Sequence, residues 1–229
     1  MKTESSICRI GVFYDGSFFA QAQRYFYHDR KVGWLSFQPF HGFLEHFIST
    51  EEQGFASYKV VYAAWHQGLF SVKDSTEKQL RSDRNRYHDL LHAGIEPKYL
   101  PMSQSQGEKG TDVALAVDAL QTGLDGKIDI AVLVTGDGDF VPLVRALNKQ
   151  GIRVLAAYFD FTDAKGKKCF INERLLSCCN YVVDISALDK SRDFKNAFKS
   201  LFRTADEWKN KRKGHQSLPA DTEDGAAGE

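Results

Sequence analysis

Short apolar runs alternate with longer amphipathic stretches along most of this chain, and that alternation predicts its elements. Residues 7–14 read as a first strand that ends in Asp15-Gly16-Ser17, and residues 18–27 as a helix lined by aromatics. Residues 28–55 are irregular and rich in Phe, His and Gly, and predict a loop plus a helix around 40–48. A second strand follows at 58–65, then a long polar helix at 72–93 that Gly94 is placed to stop. Residues 95–102 read as a shorter strand weakened by Pro97 and Pro101, and 103–110 as a polar loop. Thr111 is expected to cap a helix over 112–122. Residues 130–134 are apolar without interruption, the pattern of a strand buried on both faces of a parallel sheet. Apolar positions then recur at helical spacing from Phe140, with Asp139 as the expected N-cap and Pro142 in the first turn. Strands at 151–159 and 181–185 complete the series. Strands alternating with helices imply an α/β fold with a mostly parallel sheet and helices on both faces.

In such a sheet the carboxyl ends of the strands share one edge, where ligands bind. Asp15 ends the first strand, Asp137 and Asp139 follow the 130–134 strand, and Asp112 opens a helix after Lys109-Gly110-Thr111. Distant segments thus converge with four carboxylates, which repel one another in water-poor surroundings. A hard divalent cation between them resolves that repulsion, and magnesium or manganese prefers oxygen ligands and can activate water against a phosphodiester. The competing reading is a set of turn aspartates that only cap and bend the backbone. Asp118 lies about 120° round the helix from Asp112 and reads as a supporting residue.

Composition narrows the classes. With 42% hydrophobic and 26% charged residues the chain is of globular type, and its net charge of +0 leaves any nucleic-acid role to local charge. Cys8, Cys169, Cys178 and Cys179 lack zinc-ligand spacing and read as reduced thiols. His88 and His92, four apart on one predicted helix, are the sole histidine pair with zinc-like spacing, and a surface role is the plainer reading. No apolar leader or membrane-length run is present, so a cytoplasmic location is expected. Residues 187–213 are basic and amphipathic and predict a helix, while 214–229 read as a disordered acidic tail.

Three blocks resemble the signature of the NYN domain, in its LabA-like branch of the PIN-like nuclease superfamily. They are Val12-Phe-Tyr-Asp-Gly16, Lys109-Gly-Thr-Asp-Val-Ala-Leu-Ala-Val-Asp118 and Val134-Thr-Gly-Asp-Gly-Asp-Phe140, in the family's order. The resemblance spans about residues 7–186, with 28–57 as an insertion. It implies a Rossmann-like α/β/α sandwich, metal-dependent RNA cleavage, and metal-binding, catalytic carboxylates at Asp15, Asp112, Asp137 and Asp139. Asp118 belongs to the second block and Thr135 supports the third. Two positions depart from the family pattern: Ser17 follows Gly16 where Asn is frequent, and Asn180 stands where an aspartate is frequent.

The function expected is therefore a ribonuclease dependent on Mg2+ or Mn2+, acting on RNA, single-stranded for preference. Ser17, Lys109 and Arg84 are the candidates for holding substrate, with Arg81 and Arg86 on the same helix as Arg84. The alternatives are a regulatory module that binds RNA or protein with little turnover, and a metal-dependent DNA nuclease or phosphatase. A homodimer or protein partner would use 28–57 or the basic C-terminal segment.

Overall fold

The computed structural model describes residues 6–203, apart from 104 and 106. In chain order, β1 (Ile7–Asp15) leads into α1 (Gly16–Arg24) and a wide helical turn at Tyr25–Asp29, followed by a two-residue strand, β2 (Trp34–Leu35). Next come α2 (Phe37–Glu51), β3 (Ser57–Phe70), α3 (Glu77–His92) and β4 (Glu96–Met102). Then follow α4 (Thr111–Leu124), β5 (Ile130–Val134), α5 (Val141–Lys149) and β6 (Arg153–Tyr158). A small hairpin, β7 (Phe161–Thr162) and β8 (Lys168–Cys169), precedes α6 (Glu173–Cys178) and β9 (Tyr181–Asp184). The described chain ends with α7 (Lys195–Ser200) and β10 (Phe202–Arg203).

Six strands form one sheet in the order β4-β3-β1-β5-β6-β9, and every neighbouring pair is parallel. The chain starts at the centre, builds outward through β3 and β4, then returns to the other side of β1 and builds outward again. The strand order therefore reverses between β1 and β5, where the carboxyl ends open a crevice. β3 overshoots its neighbour: β1 stops at Asp15 opposite His66, while β3 runs on to Phe70 against β4 alone.

Alternation along β1 divides the core. Cys8, Ile10, Val12 and Tyr14 point to a layer with the aromatics of α1 and α2, including Phe19 and Phe40. Phe13 points the other way, to a layer with Leu115 of α4, Val144 of α5 and Leu175 of α6. These two covered faces make the α/β/α sandwich, and β5 is buried at every position because it is covered on both sides.

Several sequence expectations are revised. The stretch 28–57, read as an insertion, contributes to the main core, where α2 sends Phe40, Phe43, Leu44, Phe47 and Ile48. The single basic helix expected over 187–213 is broken in its described part. It forms a 3-10 turn (Ile185–Lys190), the six-residue α7 and β10, which pairs with β2. Phe198 and Leu201 are buried, so apolar anchoring sets that path rather than helical periodicity. Residues 204–213 and the expected tail at 214–229 lie outside the described residues. No helix among the described residues is long and apolar enough to cross a membrane.

Candidate active site

Asp15 sits at the end of β1 and caps α1, its Oδ1 accepting from the Phe18 amide at 3.0 Å. Its Oδ2 accepts from the hydroxyl of Thr135 at 3.2 Å. Thr135, fully buried just past β5, also accepts from the Asp137 amide through the same oxygen, at 3.3 Å. One hydroxyl thus ties the two central strand ends together.

Asp137, rather than Asp139, is the capping residue here: its Oδ1 accepts from the Asp139 amide at 2.9 Å and starts a 3-10 turn (Gly138–Phe140). Phe140 occupies the N-cap of α5, and Pro142 lies in its first turn as expected. The two glycines of this loop serve the protein's own packing. A Cβ on Gly138 would stand 2.7 Å from Asn172 Cγ, and one on Gly136 would collide with the Phe170 carbonyl. Asn172 donates its amide to the Gly136 carbonyl at 2.8 Å, so the 170–172 segment is laced to the acidic loop.

Asp112 lies in the first turn of α4, exposed. Gly110, with φ of 78°, and not Thr111, holds the N-cap position, a left-handed conformation that suits glycine. Burial raises the Asp112 carboxyl, and the charges of Asp137, Glu108 and Asp139 raise it further. Burial likewise pushes Asp15 up to about 6, with further upward contributions from Asp112 and Glu108 and opposition from the Phe18 and Thr135 hydrogen bonds. Asp15, Asp112, Asp137 and Asp139 therefore share one electrostatic neighbourhood. None of them has an ion-pair partner among the described residues.

Glu108 is a fifth acid that the sequence reading passed over. It accepts from the Ser17 hydroxyl at 2.6 Å and also from the Gly68 amide on the overhang of β3. Its signal was its place, directly before the Lys109-Gly-Thr-Asp block.

Asp118 belongs to a different environment. Lys98 donates to its Oδ1 at 2.7 Å, Tyr62 donates at 3.2 Å, and His66 Nε2 approaches Oδ2 at 3.2 Å. Neither ring nitrogen of His66 has an aligned hydrogen-bond partner. Burial raises the Asp118 carboxyl, but His66 and Lys98 outweigh it and hold it below the ordinary carboxylate value.

A cleft of about 520 Å³ opens beside Asp15, Ser17, Thr135 and Asp137. Its cationic lining comes from Arg24, Lys167 and Lys168. Arg84 is exposed on α3 and does not line it; Arg86 of the same helix instead reaches Gln67 of the cleft wall, at 2.9 Å. Lys109 is exposed next to the acidic group. Asn180 sits at the opposite edge of the sheet, its Oδ1 accepting from the Val154 amide at 2.7 Å near the start of β6, so that position brings no fifth carboxylate to the site.

The NYN domain model matches residues 9–186. The chain is a member of the NYN domain family. Its fold is similar to the crystal structure of a protein of unknown function from Vibrio parahaemolyticus, with 22% identity and a TM-score of 0.51, over 85% of this chain and 98% of that one. No curated protein matches the chain. NYN domains belong to the PIN-like nuclease superfamily, and the family reading is of a nuclease type. In this member of the family Asp15 and Asp137 line the cleft at the switch point, and Asp112 feels the charges of Asp137 and Asp139.

The fit of a divalent metal rests on donor chemistry. All the candidate donors are carboxylate oxygens without an ion-pair partner among the described residues. The charge of Asp112 raises Asp15, while those of Asp137 and Asp139 raise Asp112. Among the described residues no three His, Cys, Asp or Glu side chains close into a ready-made cage. The fit of a metal therefore rests on the oxygen chemistry of the donors, which magnesium and manganese prefer.

Proposed function

We propose that this NYN domain is a divalent-metal-dependent ribonuclease that hydrolyses RNA phosphodiester bonds at the Asp15–Asp112–Asp137–Asp139 group. The observation that carries the reading is Asp15 and Asp137 at the sheet's switch point in a cleft with a cationic lining, with Asp112 raising Asp15 and itself raised by the charges of Asp137 and Asp139. Asp15, Asp112, Asp137 and Asp139 would hold Mg2+ or Mn2+. Such an ion supplies a lowered water pKa and stabilisation of charge on the reacting phosphate.

The chain's own residues do the rest. Thr135 fixes Asp15 Oδ2 and the Asp137 backbone together, so the two strand ends present their carboxylates as a unit. Ser17 and Glu108 form a hydrogen-bonded pair at the mouth of the site, in which the Ser17 proton goes to Glu108 and its oxygen is left to accept from a substrate donor such as a ribose hydroxyl. Arg24, Lys167 and Lys168 line the cleft as phosphate anchors, with Lys109 at the acidic rim. Arg84 does not line the cleft, and Arg86 of the same helix is held by Asp83 and Gln67.

The test is cleavage of labelled single-stranded RNA, duplex RNA and DNA with magnesium, manganese or EDTA. Metal-dependent RNA cleavage that Asp137→Asn removes is the expected result. A parent protein that leaves RNA intact with both metals, or an Asp137→Asn variant that cleaves at the parent rate, would overturn the reading.

A further inference from the structure

The β7–β8 hairpin interrupts the passage from β6 to α6 and forms one wall of the cleft. Its turn is well tied. Asp163 Oδ1 accepts from the amides of Lys165 and Lys167 at 2.9 and 2.8 Å, and Gly166 has φ of 80°. Its flank is anchored by Phe161, stacked on Tyr25 at 3.9 Å between ring centroids, and by the Ala164 amide, which donates to Asp29 at 3.1 Å. Lys167 and Lys168 line the cleft, and neither has an ion-pair partner among the described residues.

Phe170 follows directly and is 58% exposed, although its neighbours Cys169 and Ile171 are buried. Its carbonyl packs on Gly136, so its backbone is set against the loop that carries Asp137. Phe18 lines the same cleft. What sets this exposed ring apart from other exposed apolar side chains is its place in the cleft, beside Lys167, Lys168 and Asp137. The position joins a π-face to cations on one side and carboxylates on the other, which is the chemistry of a nucleotide: a base to stack and a phosphate to hold.

We propose that Phe170 is the stacking platform for an unpaired nucleobase flanking the scissile phosphate, with Lys167 and Lys168 holding the adjoining backbone. The inference rests on the ribonuclease reading and adds to it the residue that selects single strands. In an A-form duplex the bases are already stacked on one another, so no base face is free for the ring.

The experiment measures binding of fluorescent RNA by the full chain carrying Asp137→Asn, with and without Phe170→Ala or Phe170→Trp. Phe170→Ala is expected to weaken single-stranded RNA binding about tenfold, with duplex binding unchanged and Phe170→Trp close to the unsubstituted ring. A series of single abasic nucleotides should include one position at which the Phe170→Ala difference vanishes. A single-stranded DNA arm shows whether the platform also accepts deoxynucleotides, which stacking predicts. Equal single-strand affinity with and without Phe170→Ala, at unchanged melting temperature, overturns the proposal; if the parent still cleaves RNA, the ribonuclease reading survives that result. A parent that neither binds nor cleaves RNA overturns both.

Discussion

Asp118 Oδ1 receives the Lys98 ammonium at 2.7 Å, whereas Asp112, on the same helix, has the charges of Asp137, Glu108 and Asp139 around it. One carboxylate is therefore neutralised by its surroundings and the other is left in need of a cation. Asp118→Asn should cost about 1–3 kcal/mol of stability, because Lys98 loses the nearer of its two carboxylate partners, Asp118 at 2.7 Å against Glu96 at 3.6 Å, in a part-buried setting. Asp112→Asn should leave the metal-free protein as stable as the parent or more so, while removing most RNA cleavage. Urea unfolding in EDTA, set beside a cleavage assay, separates the two.

Metal should act on stability as well as on activity. A cation that binds only the folded form stabilises it by about 2.7 kcal/mol at a hundred times its dissociation constant. Millimolar manganese or magnesium is expected to raise the melting temperature of the parent. Asp137→Asn should melt no lower than the parent in EDTA and gain little from either metal. A parent indifferent to both metals would favour the reading of capping aspartates.

Gly138 sets the spacing between the acidic loop and Asn172. Gly138→Ala places a methyl group 2.7 Å from Asn172 Cγ and should destabilise the protein by about 1–3 kcal/mol. It should also lower cleavage, since Asp137 and Asp139 flank the displaced backbone. Adding Asn172→Ala should recover part of both losses, read from thermal melts and initial rates.

His41 gives the protein a pH dependence away from the acids. Burial lowers its imidazole from the ordinary value of 6.5 to about 4, against a smaller upward pull from Glu45. The folded state therefore disfavours the proton that the unfolded chain accepts. Stability from this group is complete above about pH 6.5 and is lost as pH falls towards 4, at most about 3 kcal/mol across that window. His41→Phe should flatten the acid limb of a stability–pH curve measured by urea unfolding, and an unchanged limb would remove His41 from the account.

The sheet was legible in the sequence because its signals are local. β5 coincides with its uninterrupted apolar run, 130–134, and the central strand ends announce themselves through Asp15 and Thr135-Gly136-Asp137. Elements whose limits depend on distant partners were not. β3 extends past the expected 65 to Phe70 because β4 pairs with residues that look like a loop in isolation. The C-terminal basic stretch has helical periodicity, yet its phenylalanines are claimed by the core and β10 by β2. At the site, carboxylates of known motifs could be read, but their purposes could not. Whether Asp137 or Asp139 caps, and whether glycines make room for a ligand or for Asn172, depends on a segment over thirty residues away in the chain. Glu108, Lys167 and Phe170 carry no motif, and topology alone brings them to the cleft.

The unequal lengths of β1 and β3 leave a short margin of sheet, residues 67–70, without a strand beside it on the β1 side. Such a margin invites another chain to add itself by main-chain pairing. Here the Gly68 amide is already taken by the Glu108 carboxylate, which brings negative charge to the vacant lane. A side chain that holds Ser17 at the mouth of the cleft thus also caps the sheet margin that the shorter β1 leaves open.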